Sequence, residues 1–492
     1  MILYDLLRED FEVKGNHNKE ISSISYNSKE IERGSLFVAI KGQSSDGHNF
    51  IEEAISKGAV SIVYEKKYYS PKNDPQITWI GVDDSRDALA WFSSIFYGNP
   101  SKKMHLIGIT GTNGKTTTSY LIRHVLKKLG KKTGVVGTIR YLIDAEEIKA
   151  PHTTPESLQF QKLLKEMLDK EVEYVVAEVS SHALSLKRVD YTQFEVAVFT
   201  NLSRDHLDFH RDMEDYFQSK CRLFKELLKE EGIAVINIDD AYGKRLANSL
   251  EKKKICYGVE NSEADIYVND YRLGFDGTDL NISISGEKYF FKTPLIGIPN
   301  IYNTLSAIGV CLALHIPVDT IKEALLSVKA PEGRFENINE GQDFFVFVDY
   351  AHTPDALERL LGSVNRLREK IHKTGRIITL FGCGGNRDRG KRPQMGKIAT
   401  DLSDYVILTS DNPRWENPRD IIRDIEDGIS KDNYIVVPDR KEALKVGLTI
   451  CEKGDIFIVA GKGHEDYQEI EGKRIPFSDR EAIRNMLKEM KK

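Results

Sequence analysis

Short apolar runs punctuate this chain: Leu106–Thr110, Val172–Val179, Val196–Thr200, Ile233–Ile238, Phe344–Val348, Arg376–Phe381, Tyr405–Thr409, Tyr434–Val437 and Asp455–Ala460. They are rich in Val, Ile and Phe and lack clean alternation, the pattern of strands buried on both faces. Amphipathic stretches separate them, such as the helix-periodic Thr118–Leu129. The pattern therefore predicts an α/β fold built on parallel sheets covered by helices. Ile266–Lys292 instead alternates and carries the turn pairs Asp276-Gly277 and Ser285-Gly286, which predicts an antiparallel flap. Turn-rich Tyr97-Gly-Asn-Pro-Ser101 and Ala330-Pro-Glu-Gly-Arg334, the latter after a predicted helix Ile321–Val328, place boundaries near residues 102 and 332. Three domains are expected: 1–102, 103–332 and 333–492.

Composition narrows the class. The 492 residues are 40% hydrophobic and 29% charged, an ordinary globular balance. Lys plus Arg number 70 against 75 Asp plus Glu, so no basic surplus points to nucleic acid or a membrane surface. Five scattered cysteines without C-x-x-C spacing fit a reducing cytoplasm better than a disulfide scaffold or zinc ribbon. The acidic start (Asp5, Glu9, Asp10) is unlike a signal peptide, and the longest apolar stretch, Leu305–Val318, is broken by His315 and Pro317. A cytoplasmic protein is expected.

Unusual polar residues follow the carboxyl ends of the predicted strands, where open α/β sheets bind ligands. The strongest signal is Gly108-Ile-Thr-Gly111-Thr-Asn-Gly114-Lys115-Thr116-Thr117, between a strand and a helix. Such a loop presents backbone N–H groups to phosphates, with Lys115 for the β/γ oxygens and Thr116 for Mg²⁺. The spacing departs from strict G-x-x-x-x-G-K-T because residue 109 is Ile. Glu178, at a strand end, would supply a further oxygen ligand. His206 ends the next strand; it is either a ligand for a second cation or a hydrogen-bonded structural histidine.

Lys220 stands out by position. On a predicted helix Asp212–Glu230, Met213, Tyr216, Phe217, Cys221, Phe224, Leu227 and Leu228 form one apolar stripe, with Lys220 at its centre. Such a lysine either snorkels or is functional. Burial favours the neutral amine, which can add CO₂ to become an anionic carbamate ligand. Further along, Asp349 at a strand end suits a ribose hydroxyl or a helix cap. Arg387, Asp411, Arg414 and Glu465 lie in later loops, and an Arg with a Glu complements an amino-acid zwitterion.

Together these residues resemble the Mur ligases, ATP-dependent amide-forming enzymes of peptidoglycan precursor synthesis. The resemblance covers nearly the whole chain and rests on Gly108–Thr117, Glu178–His182, Thr200–His206, Lys220, Asn300, Asn303, Gly333-Arg334, Asp349–Pro354 and Gly461–Glu465. His152-Thr-Thr-Pro155, Gly382-Cys-Gly-Gly-Asn-Arg-Asp-Arg389 and Asp411-Asn-Pro-Arg414 resemble the members that extend UDP-N-acetylmuramoyl-L-alanyl-D-glutamate. The resemblance implies an N-terminal UDP-binding α/β domain, a central P-loop ATPase domain with a parallel sheet, and a C-terminal Rossmann-like domain that binds the amino acid. It implies ATP and Mg²⁺ as cofactors, with Gly111, Thr112, Asn113, Gly114, Lys115, Thr116 and Thr117 on the phosphates. Thr116 and Glu178 would hold one Mg²⁺, and His206 and carbamylated Lys220 a second; Lys115, Lys220 and His206 are the implied catalytic residues. Asn300 and Asn303 would approach adenine, and Arg334 and Asp349 phosphate and ribose. Ser28, Thr153, Thr154, Ser180 and Arg188 would hold the UDP-muramoyl dipeptide. Arg387, Asp411, Asn412, Pro413, Arg414, Gly461 and Glu465 would select meso-diaminopimelate, through Arg414 on its distal carboxylate. The chain departs from the family at Tyr26-Asn-Ser-Lys29, Leu186 and Gly297-Ile-Pro299-Asn300. A monomer without nucleic-acid or integral membrane partners is expected. The rivals are a lysine-adding ligase, a folylpolyglutamate-synthase-like ligase and a nucleotide-gated scaffold.

Overall fold

The computed structural model describes residues 1–42, 45–370 and 374–490. The chain forms two compact units: Met1–Tyr257 with Ser306–Ile316, and Gly258–Leu305 with Pro317–Lys492.

The first unit carries two sheets. In the first, Glu12–Lys14, Thr78–Val82, Ala59–Glu65, Ser35–Val38 and Ser23–Ser25 lie side by side, the first pair antiparallel and the rest parallel. Leu36, Val38, Val63, Ile80 and Phe92 fill one face of this sheet. In the second, His105–Thr110 lies between Tyr174–Glu178 and Phe194–Phe199, all parallel. Leu228–Asn237 extends this array beyond Phe194–Phe199, and Thr133–Val136 extends it beyond Tyr174–Glu178. The strand order reverses on either side of His105–Thr110. That makes its carboxyl end a topological switch point, where a crevice opens for a ligand.

The second unit contains an antiparallel meander, Ile266–Gly274, Gly277–Ile284 and Glu287–Thr293. Its other sheet runs Glu336–Asn337, Phe345–Asp349, Ile456–Ala460, Ile377–Phe381, Tyr405–Leu408 and Tyr434–Val436, parallel after the first pair. All residues of Ile377–Phe381 and Ile456–Ala460 are buried, as near-continuous apolar runs require of central strands. Parallel pairing brings the loops after residues 349, 381, 408 and 460 to one edge.

The helix predicted over Asp212–Glu230 is shorter. It spans Met213–Arg222, widens into a π-turn at Leu223–Leu227, and gives way to a strand that starts at Leu228. Leu228 pairs with Phe194 in the sheet, so this last apolar residue of the predicted stripe serves the strand instead. The helix predicted from Thr118 starts at Lys115, and that predicted over Ile321–Val328 spans Val318–Leu325. The first flap turn is Phe275-Asp276, with Gly277 already in the next strand. Among the described residues no helix is long and apolar enough to cross a membrane. Cys221, Cys256, Cys311, Cys383 and Cys451 form no disulfide.

Candidate active site

In the first unit, Gly111–Gly114 turns the chain from strand His105–Thr110 into helix Lys115–Lys128. Gly111 has φ 144°, and a Cβ there would meet Thr200 Oγ1 at 1.9 Å, so no other residue fits. Gly108 belongs to the strand, packed against Phe194 and Leu223, rather than to the loop. The next strand's end braces the loop. Thr112 N donates to Asn201 O at 2.9 Å, Asn113 N to Asn201 Oδ1 at 3.0 Å, and Thr200 Oγ1 to Asn113 O at 2.6 Å. Lys115, the first helical residue, donates to Gly111 O at 2.9 Å and Thr112 O at 3.0 Å. Its ammonium thus sits over the loop at the positive end of the helix.

Glu178 is fully buried, yet its carboxylate is saturated with donors. Oε2 accepts from Thr116 Oγ1 at 2.9 Å and Thr138 Oγ1 at 2.8 Å, and Oε1 from Thr138 N at 3.0 Å. Thr138 comes from the turn after strand Thr133–Val136, and the sequence carried no signal for it. A threonine hydroxyl beside a carboxylate, at the foot of a phosphate loop, is a hard oxygen donor set that fits Mg²⁺ completed by phosphate oxygens and water. Among the described residues no group of three or more His, Cys, Asp or Glu side chains is placed to hold a metal by itself.

Lys220 is buried, at 1% exposure, so it does not snorkel. Its Nζ donates to Gly111 O at 3.0 Å and lies 4.6 Å from the centre of the Tyr216 ring. Burial, with Lys115 adding repulsion, pushes the Lys220 ammonium well below the ordinary lysine value. His206 has φ 54° and stands edge-on to His182 at 4.7 Å. Burial and the neighbouring imidazoles of His206 and His210 hold His182 down at about 4.

Thr153, Thr154, Ser180 and Arg188 gather beside Glu178. Thr153 Oγ1 is 3.1 Å from Thr138 Oγ1. Thr154 Oγ1 donates to Glu178 O at 2.8 Å and accepts from Ser180 N at 3.1 Å, and Arg188 donates to Thr154 O at 3.1 Å. Ser180 also caps the short helix Ser181–Ser185. Ser28 is not among this group: it lies with the first sheet and donates to Glu53 Oε2 at 2.8 Å.

In the second unit, Asp349 ends its strand with Oδ2 accepting from Phe335 N at 2.7 Å and Oδ1 from Ala351 N at 2.8 Å. Burial pushes its carboxyl up, and the Arg334 guanidinium opposes that rise. Arg334 lies 4.8 Å from the Tyr350 ring centre, and its buried Nε has no hydrogen-bond partner among the described residues. Asn300 and Asn303 share one face of helix Ile298–Ala313, with Asn303 Nδ2 donating to Asn300 Oδ1 at 2.9 Å.

The loops after 381, 408 and 460 meet at the sheet edge. A Cβ on Gly385 would strike Pro413 O at 2.0 Å, so the glycines of Gly382-Cys-Gly-Gly385 allow backbone-to-backbone packing. Arg414 is not an exposed turn arginine; its side chain is 18% exposed. It donates through Nη1 to Gly385 O at 2.8 Å and through Nε to Glu469 Oε2 at 3.2 Å. Glu465 Oε2 accepts from Asn412 Nδ2 at 2.9 Å and from Lys462 Nζ at 2.8 Å. Lys462 is fully buried and also donates to Asn412 Oδ1 at 3.1 Å. Asp411 Oδ1 accepts from Asn412 N at 2.6 Å, and Gly461 N reaches Asp349 O at 3.2 Å. Pro413 contributes backbone, and Arg387 is exposed beside Gly384. Sequence reasoning missed Lys462 and Glu469. The lysine's place between two glycines was the available signal.

Three family models match the chain: the Mur ligase family catalytic domain over residues 20–97, the Mur ligase middle domain over 109–311, and the Mur ligase glutamate ligase domain over 333–463. The chain is 46% identical over 478 residues to the UDP-N-acetylmuramoyl-L-alanyl-D-glutamate–2,6-diaminopimelate ligase of Clostridium botulinum, covering 96% of each. It is 44% identical to the ligase of the same name from Caldanaerobacter subterraneus subsp. tengcongensis, over the full length of both. A solved structure of a ligase of that name superposes with a TM-score of 0.73 at 31% identity, covering 100% of this chain and 99% of that one. The MurF ligase of Thermotoga maritima in complex with ADP shares the fold at a TM-score of 0.62 and 21% identity, covering 96% of this chain and 97% of that one.

Proposed function

The chain belongs to the Mur ligase family, and from that premise we infer how its residues divide the work of an ATP-dependent amide-forming ligase. It joins 2,6-diaminopimelate to UDP-N-acetylmuramoyl-L-alanyl-D-glutamate. The observation that carries the specificity is the placement of Arg414 and Glu465 on adjoining turns, tied through Asn412. A guanidinium and a carboxylate so placed complement the distal amino-acid head of diaminopimelate, which L-lysine lacks. We assign the meso isomer to this pocket, with Arg387, Asp411, Pro413 and the Gly461 backbone completing it.

The proposed chemistry starts at the phosphate loop. The γ-phosphoryl group of ATP passes to the D-glutamyl γ-carboxylate, giving an acyl phosphate and ADP. The amine of diaminopimelate then attacks the acyl carbon, and the tetrahedral intermediate expels phosphate. Lys115 would hold the transferring group, and Thr116 and Glu178 would hold Mg²⁺, with Thr138 fixing the carboxylate. When bound there, Mg²⁺ would supply charge neutralisation to phosphate oxygens. In its neutral form the Lys220 amine would add CO₂ and release one proton, and the resulting carbamate and His206 would be the residues to hold a second cation. Thr153, Thr154, Ser180 and Arg188 position the dipeptide, with Ser28 on the uridine side. Asn300, Asn303, Arg334 and Asp349 serve the nucleotide, and the orphaned Arg334 Nε is a donor awaiting an acceptor. We keep the functional division at 1–102, 103–332 and 333–492, and place the reaction in the cytoplasm, with a monomer as the working form.

Phosphate release measured with each co-substrate omitted in turn tests this reading. Release should require ATP, Mg²⁺, the UDP-dipeptide and diaminopimelate together; release without the UDP-dipeptide would contradict it.

A further inference from the structure

The amino-acid pocket is assembled from two turns that are distant in sequence, Asp411–Arg414 and Gly461–Glu465. Directly behind them lies Arg440, the first residue of helix Arg440–Ile450, with its side chain wholly buried. Its Nε and Nη2 donate to Asp479 Oδ1 and Oδ2 at 2.8 and 2.7 Å. Asp479, equally buried, is the first residue of the last helix, Asp479–Met490. The remaining contacts go to backbone. Nη1 donates to Ser410 O and Nη2 to Ala460 O, both at 3.1 Å. Ser410 immediately precedes the first turn and Ala460 the second. The guanidinium charge also acts on the carboxylates of Asp411 and Glu465.

Stability alone does not explain this arrangement. A buried ion pair is often replaced by apolar residues at no cost, because desolvation offsets the attraction. A planar fork with five N–H donors does what an apolar pair cannot: it fixes the distance between two carbonyls while its charge is cancelled on the other side. We propose that Arg440, held by Asp479, is a positioning residue for the amino-acid substrate, setting the spacing between the turn that carries Arg414 and the turn that carries Glu465. The proposal rests on the reading of this pocket as the diaminopimelate site. It makes the last helix part of substrate recognition through the Asp479–Arg440 pair.

The test uses the full chain with Arg440→Lys and with Arg440→Met/Asp479→Leu, the second removing both charges together. Thermal melts establish folding, and KM is measured separately for diaminopimelate, ATP and the UDP-dipeptide. Lysine keeps the charge but replaces the planar fork, which makes four hydrogen bonds here, with a compact ammonium that has three donors. Both variants should melt near the unmodified protein, and KM for diaminopimelate should rise on the order of 10- to 100-fold, as for lost orienting partners elsewhere. KM for ATP and for the UDP-dipeptide should stay unchanged. An unchanged KM for diaminopimelate in either folded variant overturns the proposal, as does a uniform rise for all three substrates. If both variants fail to fold, Arg440 is structural and the proposal falls. Failure of the unmodified protein to use diaminopimelate would overturn the ligase reading itself, before any variant is compared.

Discussion

Lys115 and Lys220 donate to the same carbonyl oxygen, that of Gly111, at 2.9 and 3.0 Å. Two ammonium groups on one acceptor repel strongly in a buried setting. The conflict resolves if one of them is neutral, and the buried one, Lys220, is the one whose pKa is driven down. Of the pair, Lys220 is thus the one whose charged form is disfavoured, by burial and by the nearby Lys115.

The depressed Lys220 ammonium has a stability signature. A lysine whose folded pKa lies below its unfolded value binds fewer protons in the folded state, so stability rises with pH until the unfolded pKa near 10.5 is passed. In bicarbonate-free buffer, the unmodified protein should gain stability relative to Lys220→Met as pH rises from the depressed folded value toward 10.5. Paired thermal melts across that range check this, and a constant difference would mean that Lys220 is not perturbed.

For catalysis, Lys220→Ala should lose activity on the order of 100-fold or more, the scale of removing one preorganised electrostatic group. Short carboxylic acids should partly restore it by occupying the place of the carbamate. Full activity in bicarbonate-free buffer would exclude the carbamate.

Lys115→Ala should lower ATP-dependent phosphate release by at least about 100-fold, because the cation facing the transferring group is gone. Unchanged release would remove the phosphate-loop assignment.

Thr138→Val deletes one donor to Glu178 while leaving both proposed ligands in place. The Mg²⁺ concentration for half-maximal activity should rise about 10-fold or more, as for other orienting partners of metal ligands. A titration of activity against Mg²⁺ in the variant measures it, and an unshifted curve would separate Thr138 from the metal.

Much of this was legible in the sequence, and the rest was not for identifiable reasons. Unbroken apolar runs such as Ile456–Ala460 announce strands because both faces are buried. Lys220 was legible because a helical stripe has a centre, whatever the helix's length. The end of that helix was not, since Leu228 satisfies a stripe and a strand equally and only its pairing with Phe194 decides. Thr138, Arg440 and Glu469 act through contacts between distant segments, and their neighbours in sequence give no hint of the partners. Arg414 was legible as a site residue, but its pairing with Glu469 was not.

That pairing modifies the expected specificity. An arginine left wholly unpaired by L-lysine would discriminate by about 2–5 kcal/mol. Because Glu469 remains to pair with it, the discrimination should fall toward the lower end. Glu469→Gln should widen the preference for diaminopimelate over lysine, and competition between the two amino acids reads this out.

The most direct test of the account is amide formation by the unmodified protein, with ATP, Mg²⁺ and the UDP-dipeptide, supplied with meso-diaminopimelate in one reaction and L-lysine in another. Diaminopimelate should be joined with a kcat/KM higher by roughly 30-fold or more, the ratio that about 2 kcal/mol provides. Equal use of the two amino acids, or preference for lysine, would contradict the role given to Arg414 and Glu465.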